Sequence, residues 1–207
     1  RAHGRGRSWP TSGSRSALPR HRTLRAAVDW SYDLLTGPEQ LLLDRLSLFA
    51  GGFTLDAAEV ICAGDEIRDH EVLDLLAALT TRSLVAMQEE EGQARYGLLE
   101  TIRDYAGERL RARGADEALR RRHAEYYLTV AREAEPDLVL GRPHRLHLID
   151  IEHENLRAAL AWSAAQRHGT DLGLPLAWAL LWYWFHRQLW REGFAQFEFA
   201  LGSADAP

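Results

Sequence analysis

The sequence predicts a mainly α protein in two parts: short helices closed by a small β-hairpin, then an antiparallel helical array. Three observations predict it. Apolar residues recur at helical spacing through residues 23–82, with capping signals between the runs. Two short apolar segments around a polar, glycine-bearing tip follow over residues 83–99. Beyond about residue 99 the helical spacing returns, broken at Pro136, Gly141-Arg142-Pro143 and His168-Gly169.

Each element has a local reason. Thr23 is placed to cap a helix reaching about Leu35. Thr36-Gly37-Pro38-Glu39 opens the next, about 38–49, with the Thr-to-Glu spacing of a capping box. That helix would bury Leu41, Leu42, Leu46 and Phe49, and Gly51-Gly52 ends it. Thr54 caps a short helix through Ala57, Ala58, Val60 and Ile61. A fourth, about 70–82, places Val72, Leu73, Leu75, Leu76 and Leu79 inward. Ser83–Met87 and Ala94–Leu99 read as hairpin strands around the tip Gln88-Glu89-Glu90-Glu91-Gly92-Gln93. Helices closed by a hairpin are the order of a winged helix-turn-helix domain, here residues 23–106.

Residues 107–207 form the helical region, with helices expected at about 99–113, 115–135, 144–166, 171–186 and 188–201. The last two, joined at His186–Leu189, interleave aromatic and small residues over about 34 positions, in the manner of a tetratricopeptide unit. A lone unit leaves an apolar face open, so further repeats are expected after it. Trp178, Trp182 and Trp190 are expected to pack between these helices. Residues 1–22 hold six Arg and no acid among Gly, Ser and Pro, which reads as a flexible basic linker. The alternative is a basic arm for DNA phosphates.

Composition narrows the chemistry. The 207 residues carry a net charge of −5, and all 25 basic residues are Arg. Without Lys there is no P-loop and no Schiff-base chemistry. The single cysteine, Cys62, offers no internal disulfide and no Cys-based zinc site, and it sits on an apolar face as a buried thiol. No run of about 18 apolar residues or signal core is present, so no membrane partner and a cytoplasmic location are expected. The chain opens at Arg1 and its only Met is Met87, the pattern of a segment of a longer protein.

Candidate sites resolve toward structure rather than catalysis. His144, His147 and His153 with Asp150, Glu152 and Glu154 lack metalloprotease spacing and read as helix surface. Asp29 and Asp33 share a helix face and read as solvated or paired with Arg22 and Arg25. No metal site, cofactor site or enzymatic activity is expected. The helix over 70–82 would be the DNA-reading one, yet it offers Glu71 and Asp74, and the wing tip offers Glu89, Glu90 and Glu91. The contrary evidence is a basic stripe of Arg109, Arg111, Arg113, Arg120, Arg121 and Arg122, with Glu108, Asp116 and Glu117 among them for ion pairs.

Five segments in order carry a family resemblance: TLRAAVDWSYDLL (23–35), FAGGFTLDAAEVIC (49–62), LAALTTRSLV (76–85), YGLLETIRDYAGERL (96–110) and IEHENLRAALAWS (151–163). Together they resemble the segment after the nucleotide-binding core in bacterial signal-transducing ATPases of the STAND/NB-ARC type, including LuxR-like and SARP-type regulators of actinobacteria. The resemblance implies a winged helix followed by a tetratricopeptide sensor array. It implies an upstream ATPase that binds ATP or ADP, and a separate DNA-binding domain, both outside these residues. The partners it implies are that nucleotide-binding domain, a protein or small-molecule effector at the repeats, and DNA only through the parent protein.

In such proteins a Met-His-Asp motif opens the post-hairpin helix and contacts the nucleotide. The matching positions here are Leu98, Leu99 and Glu100. Leucine cannot donate a hydrogen bond to phosphate, so Leu99 is a degenerate sensing position and Glu100 reads as a helix cap. The expected role is a non-catalytic regulatory segment coupling nucleotide state to effector or partner binding. The first alternative is a DNA-binding winged-helix regulator gripping through Arg120, Arg121 and Arg122. The second is a helical-repeat scaffold for protein partners.

Overall fold

The structure is a computed structural model, described over residues 18–90, 92–114, 116–165 and 169–202. The chain divides at Leu119/Arg120 into two compact units. The fold class matches the expectation: mainly helical, with one two-stranded antiparallel hairpin and a helical array after it.

The first unit holds α1 (Leu18–Asp33), α2 (Gly37–Leu46), α3 (Leu55–Cys62), a 3-10 turn (Asp69–Glu71), α4 (Val72–Thr81), β1 (Ala86–Glu90), β2 (Gln93–Gly97) and α5 (Glu100–Arg113). α1 begins at Leu18, so position 23 lies inside the helix instead of capping it. Residues 18–22 of the expected linker therefore belong to α1, and the rest of that linker lies outside the described residues. The capping signals at Thr36 and Thr54 are realised. Thr36 and Glu39 exchange the reciprocal bonds of a capping box, and Thr54 accepts from the Ala57 amide at 3.2 Å. α2 stops at Leu46, three residues early, because Ser47, Leu48 and Phe49 tighten into i→i+3 bonds.

The core of this unit gathers Leu42, Leu43, Leu46, Phe49, Phe53, Ile61, Ile67, Leu76 and Leu79, each sealed from solvent. Phe49 and Phe53 stack with centroids 4.4 Å apart. Phe53 also pairs its backbone with Tyr96, N–H to O at 2.8 Å in both directions, which fastens β2 to the segment after Gly51-Gly52. The hairpin is tighter than its polar tip suggested: Glu90 pairs with Gln93, so Gln88, Glu89 and Glu90 lie within β1. Gly92 takes φ +80°, the left-handed turn position that glycine fills without strain. Glu91 lies outside the described residues.

The second unit is built on α6 (Asp116–Val139), α7 (Pro143–Ala165), α8 (Gly169–Ala179), α9 (Leu181–Arg187) and α10 (Trp190–Gly202). Pro136 was expected to end α6, but the helix runs on to Val139 and the break falls at Gly141, φ +64°. Proline removes one amide donor, and with three residues left the helix continues past it. The single helix expected over 171–186 is two, α8 and α9, meeting at Leu180. Gln188 closes α9 in the left-handed region, at the predicted joint. Its interior carries a polar knot: Tyr127 donates to Glu152 at 3.1 Å, and Asn155 donates to the same oxygen at 3.0 Å. Among the described residues, no helix is long and apolar enough to cross a membrane.

Candidate nucleic-acid interface

In a helix-turn-helix the helix offered to the major groove is the second of the pair, here α4. Val72, Leu76 and Leu79 point inward and are sealed. The opposite face presents Leu73, Asp74, Ala77 and Thr81, all exposed, with Leu73 at 47%. Expected inside, Leu73 instead lies on the outer stripe shared by positions i, i+4 and i+8. Base edges are read by Arg, Lys, Asn, Gln or Glu at such positions, and this face carries one carboxylate and three groups without a bidentate donor.

The approach to α4 is acidic and self-satisfied. Arg68 and Glu71 pair at 2.8 Å, and the Glu71 carboxylate accepts the Arg68 amide at 2.8 Å. These bonds hold the Glu71 carboxyl at about 2, well below the usual range. Asp69 is held low by the His70 amide and ring. On the wing, Glu89 is exposed, and Glu90 faces Arg95 at 3.5 Å.

Several arginines of this unit are engaged within it, while Arg82 and Arg111 are exposed. Arg45 is buried and donates to the Cys62 carbonyl at 2.7 Å and to Glu66 at 2.9 Å. Arg95 donates to the Gly52 carbonyl at 2.9 Å, and Arg103 to the Ala50 carbonyl at 2.6 Å. Both tie the glycine break to the elements after it. Arg25 pairs with Glu108 rather than with Asp29 or Asp33. Asp29 is exposed and accepts from the Tyr105 hydroxyl, which burial and that carboxylate hold well above its usual range.

The basic stripe, raised as contrary evidence, is thus partly dismantled. Arg109 stacks over the Tyr32 ring, 4.9 Å from its centroid, and Arg113 reaches Asp44 at 2.6 Å. In the second unit Arg121 pairs with Glu125 at 2.9 Å, four residues on. Arg120 is half-buried near His123, and Arg122 is exposed on its helix.

The remaining candidates fall as follows. Leu98 is buried, Leu99 is exposed as the N-cap position of α5, and Glu100 is the first residue of that helix. Glu100 therefore faces the positive end of the helix dipole rather than capping it. The histidine group is dispersed. His144 faces Asp137 at 3.6 Å, His153 meets Glu192 at 3.0 Å, and Glu152 turns inward to Tyr127. Cys62 is buried. Trp178, Trp182 and Trp190, expected in the core, are exposed by 62%, 37% and 45%, while Tyr183 and Trp184 fill the interior instead. Spacing alone did not separate these faces, because aromatic residues occupy nearly every side of α9.

Residues 35–111 match the winged helix-turn-helix domain family. Over 185 residues, 89% of this chain, the sequence is 40% identical to proteins of Mycobacterium tuberculosis and Mycobacterium bovis named "Putative HTH-type transcriptional regulator". Another Mycobacterium tuberculosis protein, named as uncharacterized, is 39% identical over 112 residues, 54% of this chain and 28% of its own length. No solved structure matches. The chain spans about a fifth (21%) of the length of the regulators it resembles. It therefore carries a winged helix-turn-helix domain and is homologous to proteins named as HTH-type transcriptional regulators.

Proposed function

We propose that this chain is part of a DNA-binding transcriptional regulator of the winged helix-turn-helix class. The observation that carries the reading is the 40% identity over 185 residues with the mycobacterial regulators, a stretch that takes in the winged helix and runs on into the helical array. The sequence placed nucleotide-coupled regulation first and DNA binding second. The comparisons favour the second, since a winged helix and a regulator are what they support. Coupling to an upstream ATPase, ATP or ADP in the parent protein, and an effector on the array rest on the five-segment resemblance. Within these residues neither hydrolysis nor tight binding of ATP is expected, and saturable micromolar ATP binding by this chain would overturn that.

The test is binding of a labelled duplex from upstream of the protein's own gene, followed by fluorescence anisotropy with the full-length regulator. Affinity is expected to fall at least tenfold between about 50 and 200 mM salt, as released counterions require. Replacing Arg120, Arg121 and Arg122 with Ala is expected to weaken binding and flatten the salt slope. Absence of saturable duplex binding by the full-length protein would overturn the reading.

A second reading is favoured by one specific observation: the exposed face of α4 is Leu73, Asp74, Ala77 and Thr81. On this reading α4 docks on protein while DNA is held elsewhere in the regulator. Substitution of Ala77 by Arg separates the two. It leaves duplex affinity unchanged if α4 packs on protein, and raises it if α4 lies in the groove.

A further inference from the structure

We propose that the outer face of α10 pairs with the same face of a second copy of this chain, antiparallel, about a two-fold axis between Phe194 and Ala195. Arg191, Phe194, Ala195 and Glu198 stand at i, i+3, i+4 and i+7, so they share one stripe of the helix. All four are exposed, Phe194 by 68%. The opposite side of α10 is already used. Gly193 lies against the Trp184 ring, and Phe197 meets the same ring edge-on with centroids 6.1 Å apart. Of the other carboxylates and guanidinium groups on α9 and α10, Glu192 meets His153 on α7 and Arg187 is held by Asp150. Arg191 and Glu198 form no ion pair among the described residues.

The order of charge along the stripe selects the occupant. Seven positions set Arg191 and Glu198 about 10.5 Å apart along the helix, too far to pair within one chain. An antiparallel copy centred between Phe194 and Ala195 brings its Glu198 to Arg191 and its Arg191 to Glu198, a reciprocal arrangement. Phe194 and Ala195 each meet their own counterpart across the axis, the ring supplying apolar area and the alanine letting the backbones approach. Trp190 and Phe199, also exposed, widen the contact at its edges. A parallel copy would set like charge on like charge. Duplex DNA would gain one arginine and meet the Glu198 carboxylate. Over a helix of 13 residues, about 20 Å long, the contact belongs among weak, transient interfaces. The inference does not rest on the DNA-binding reading, since it concerns the array alone.

The experiment is sedimentation velocity on the whole 207-residue chain, followed up to about 1 mM, where a weak contact is populated. The wild-type chain is expected to shift toward a dimer as concentration rises. Arg191→Glu or Glu198→Arg alone turns both pairs into like-charge contacts, and is expected to weaken association roughly fivefold or more. An equimolar mixture of the two single variants restores opposite charges only between unlike partners, and is expected to associate as the wild type does. So is the chain carrying both changes. Both positions are exposed, and a fold defect would not be cured by mixing. A monomeric wild-type chain overturns the proposal, as does association that neither reversal weakens, or a mixture that stays as weak as its components. Loss of the charge dependence in the full-length regulator gives the face to another segment of that protein and also overturns it.

Discussion

Arg113, the last residue of α5, donates its Nε to the carboxylate of Asp44 at 2.6 Å, and Tyr32 donates its hydroxyl to the same oxygen at 2.9 Å. Asp44 has no exposure, and burial raises its carboxyl above the ordinary value against the pull of Arg113 and Tyr32. Desolvation therefore outweighs pairing, so the ionised Asp44 subtracts from stability. The sign follows. The folded chain holds this proton more tightly than the unfolded one, so the stability it contributes falls as pH rises above the ordinary carboxylate range near ~4. Asp44→Asn keeps the shape and acceptor, and is expected to cost less than about 1 kcal/mol at neutral pH. Arg113→Ala strands a buried charge and is expected to cost about 2–3 kcal/mol, below the ~3–5 kcal/mol of a fully buried pair because Arg113 is itself partly exposed. Urea midpoints of the two variants decide it: an Asn variant less stable than the Ala variant would reverse the balance argued here.

His123 gives the opposite pH dependence in the second unit. It stacks against Tyr127 with centroids 4.7 Å apart, and burial, with Arg120 nearby, holds its pKa down at about 3 in spite of a hydrogen bond with Asn155. The unfolded chain takes up this proton first, so stability is complete above about pH 6.5 and drains as pH falls toward 3. At pH 5 the loss is on the order of 2 kcal/mol, from ~1.4 kcal/mol per pH unit. His123→Gln lacks the titrating ring, and exchange protection of α6 and α7 in that variant is expected to lose this acid sensitivity. Parallel pH profiles for the two proteins would place the titration in another group.

The capping box of α2 is a third measurable device. Thr36 Oγ1 accepts the Glu39 amide at 3.4 Å, and the Thr36 amide donates to Glu39 Oε2 at 2.7 Å. The long first bond and the short second one say that Glu39 supplies more of the reciprocal pair. Thr36→Ala is expected to destabilise by about 1 kcal/mol, and Thr36→Ser by no more than a few tenths. Glu39→Gln is expected to match or exceed the alanine change, since it also weakens the contact with Arg82 at 3.7 Å. Thermal melts of the three variants give the order directly.

What the sequence made legible was local. Thr36, Thr54, Gly51-Gly52 and the joint at His186–Leu189 act through their own backbone neighbourhood, and the structure places each where spacing put it. The long-range contacts were not legible. Arg113 meets Asp44 across 69 positions and Arg95 meets Gly52 across 43, and nothing in either local pattern marks those arginines as partners of buried groups. Runs such as Arg109–Arg113 read as a surface stripe because charge content carries no direction. Only packing shows that Arg109 lies over Tyr32 while Arg113 turns toward Asp44. The exposed tryptophans fail for the converse reason. Trp178, Trp182 and Trp190 have the composition of a core and the positions of an outer face.

Two glycines offer a matched final test of packing. A Cβ on Gly193, in α10, would stand 2.9 Å from Trp184 Cε3 and 3.1 Å from Trp184 Cδ2, and Trp184 is itself buried. A Cβ on Gly107, in α5, would meet Ser47 at 3.6 Å, an ordinary contact. Both lie in helices, where alanine is favoured over glycine by about 0.8–1 kcal/mol. Gly107→Ala is therefore expected to stabilise by about 0.5–1 kcal/mol. Gly193→Ala forces Trp184 off its seat and is expected to cost about 1–3 kcal/mol despite the same propensity gain. Because the two substitutions fall in different units, the readout is exchange protection taken separately over α5 and over α10, not one global midpoint. Equal stabilisation by both would mean that α10 does not approach Trp184 as closely as its glycine requires.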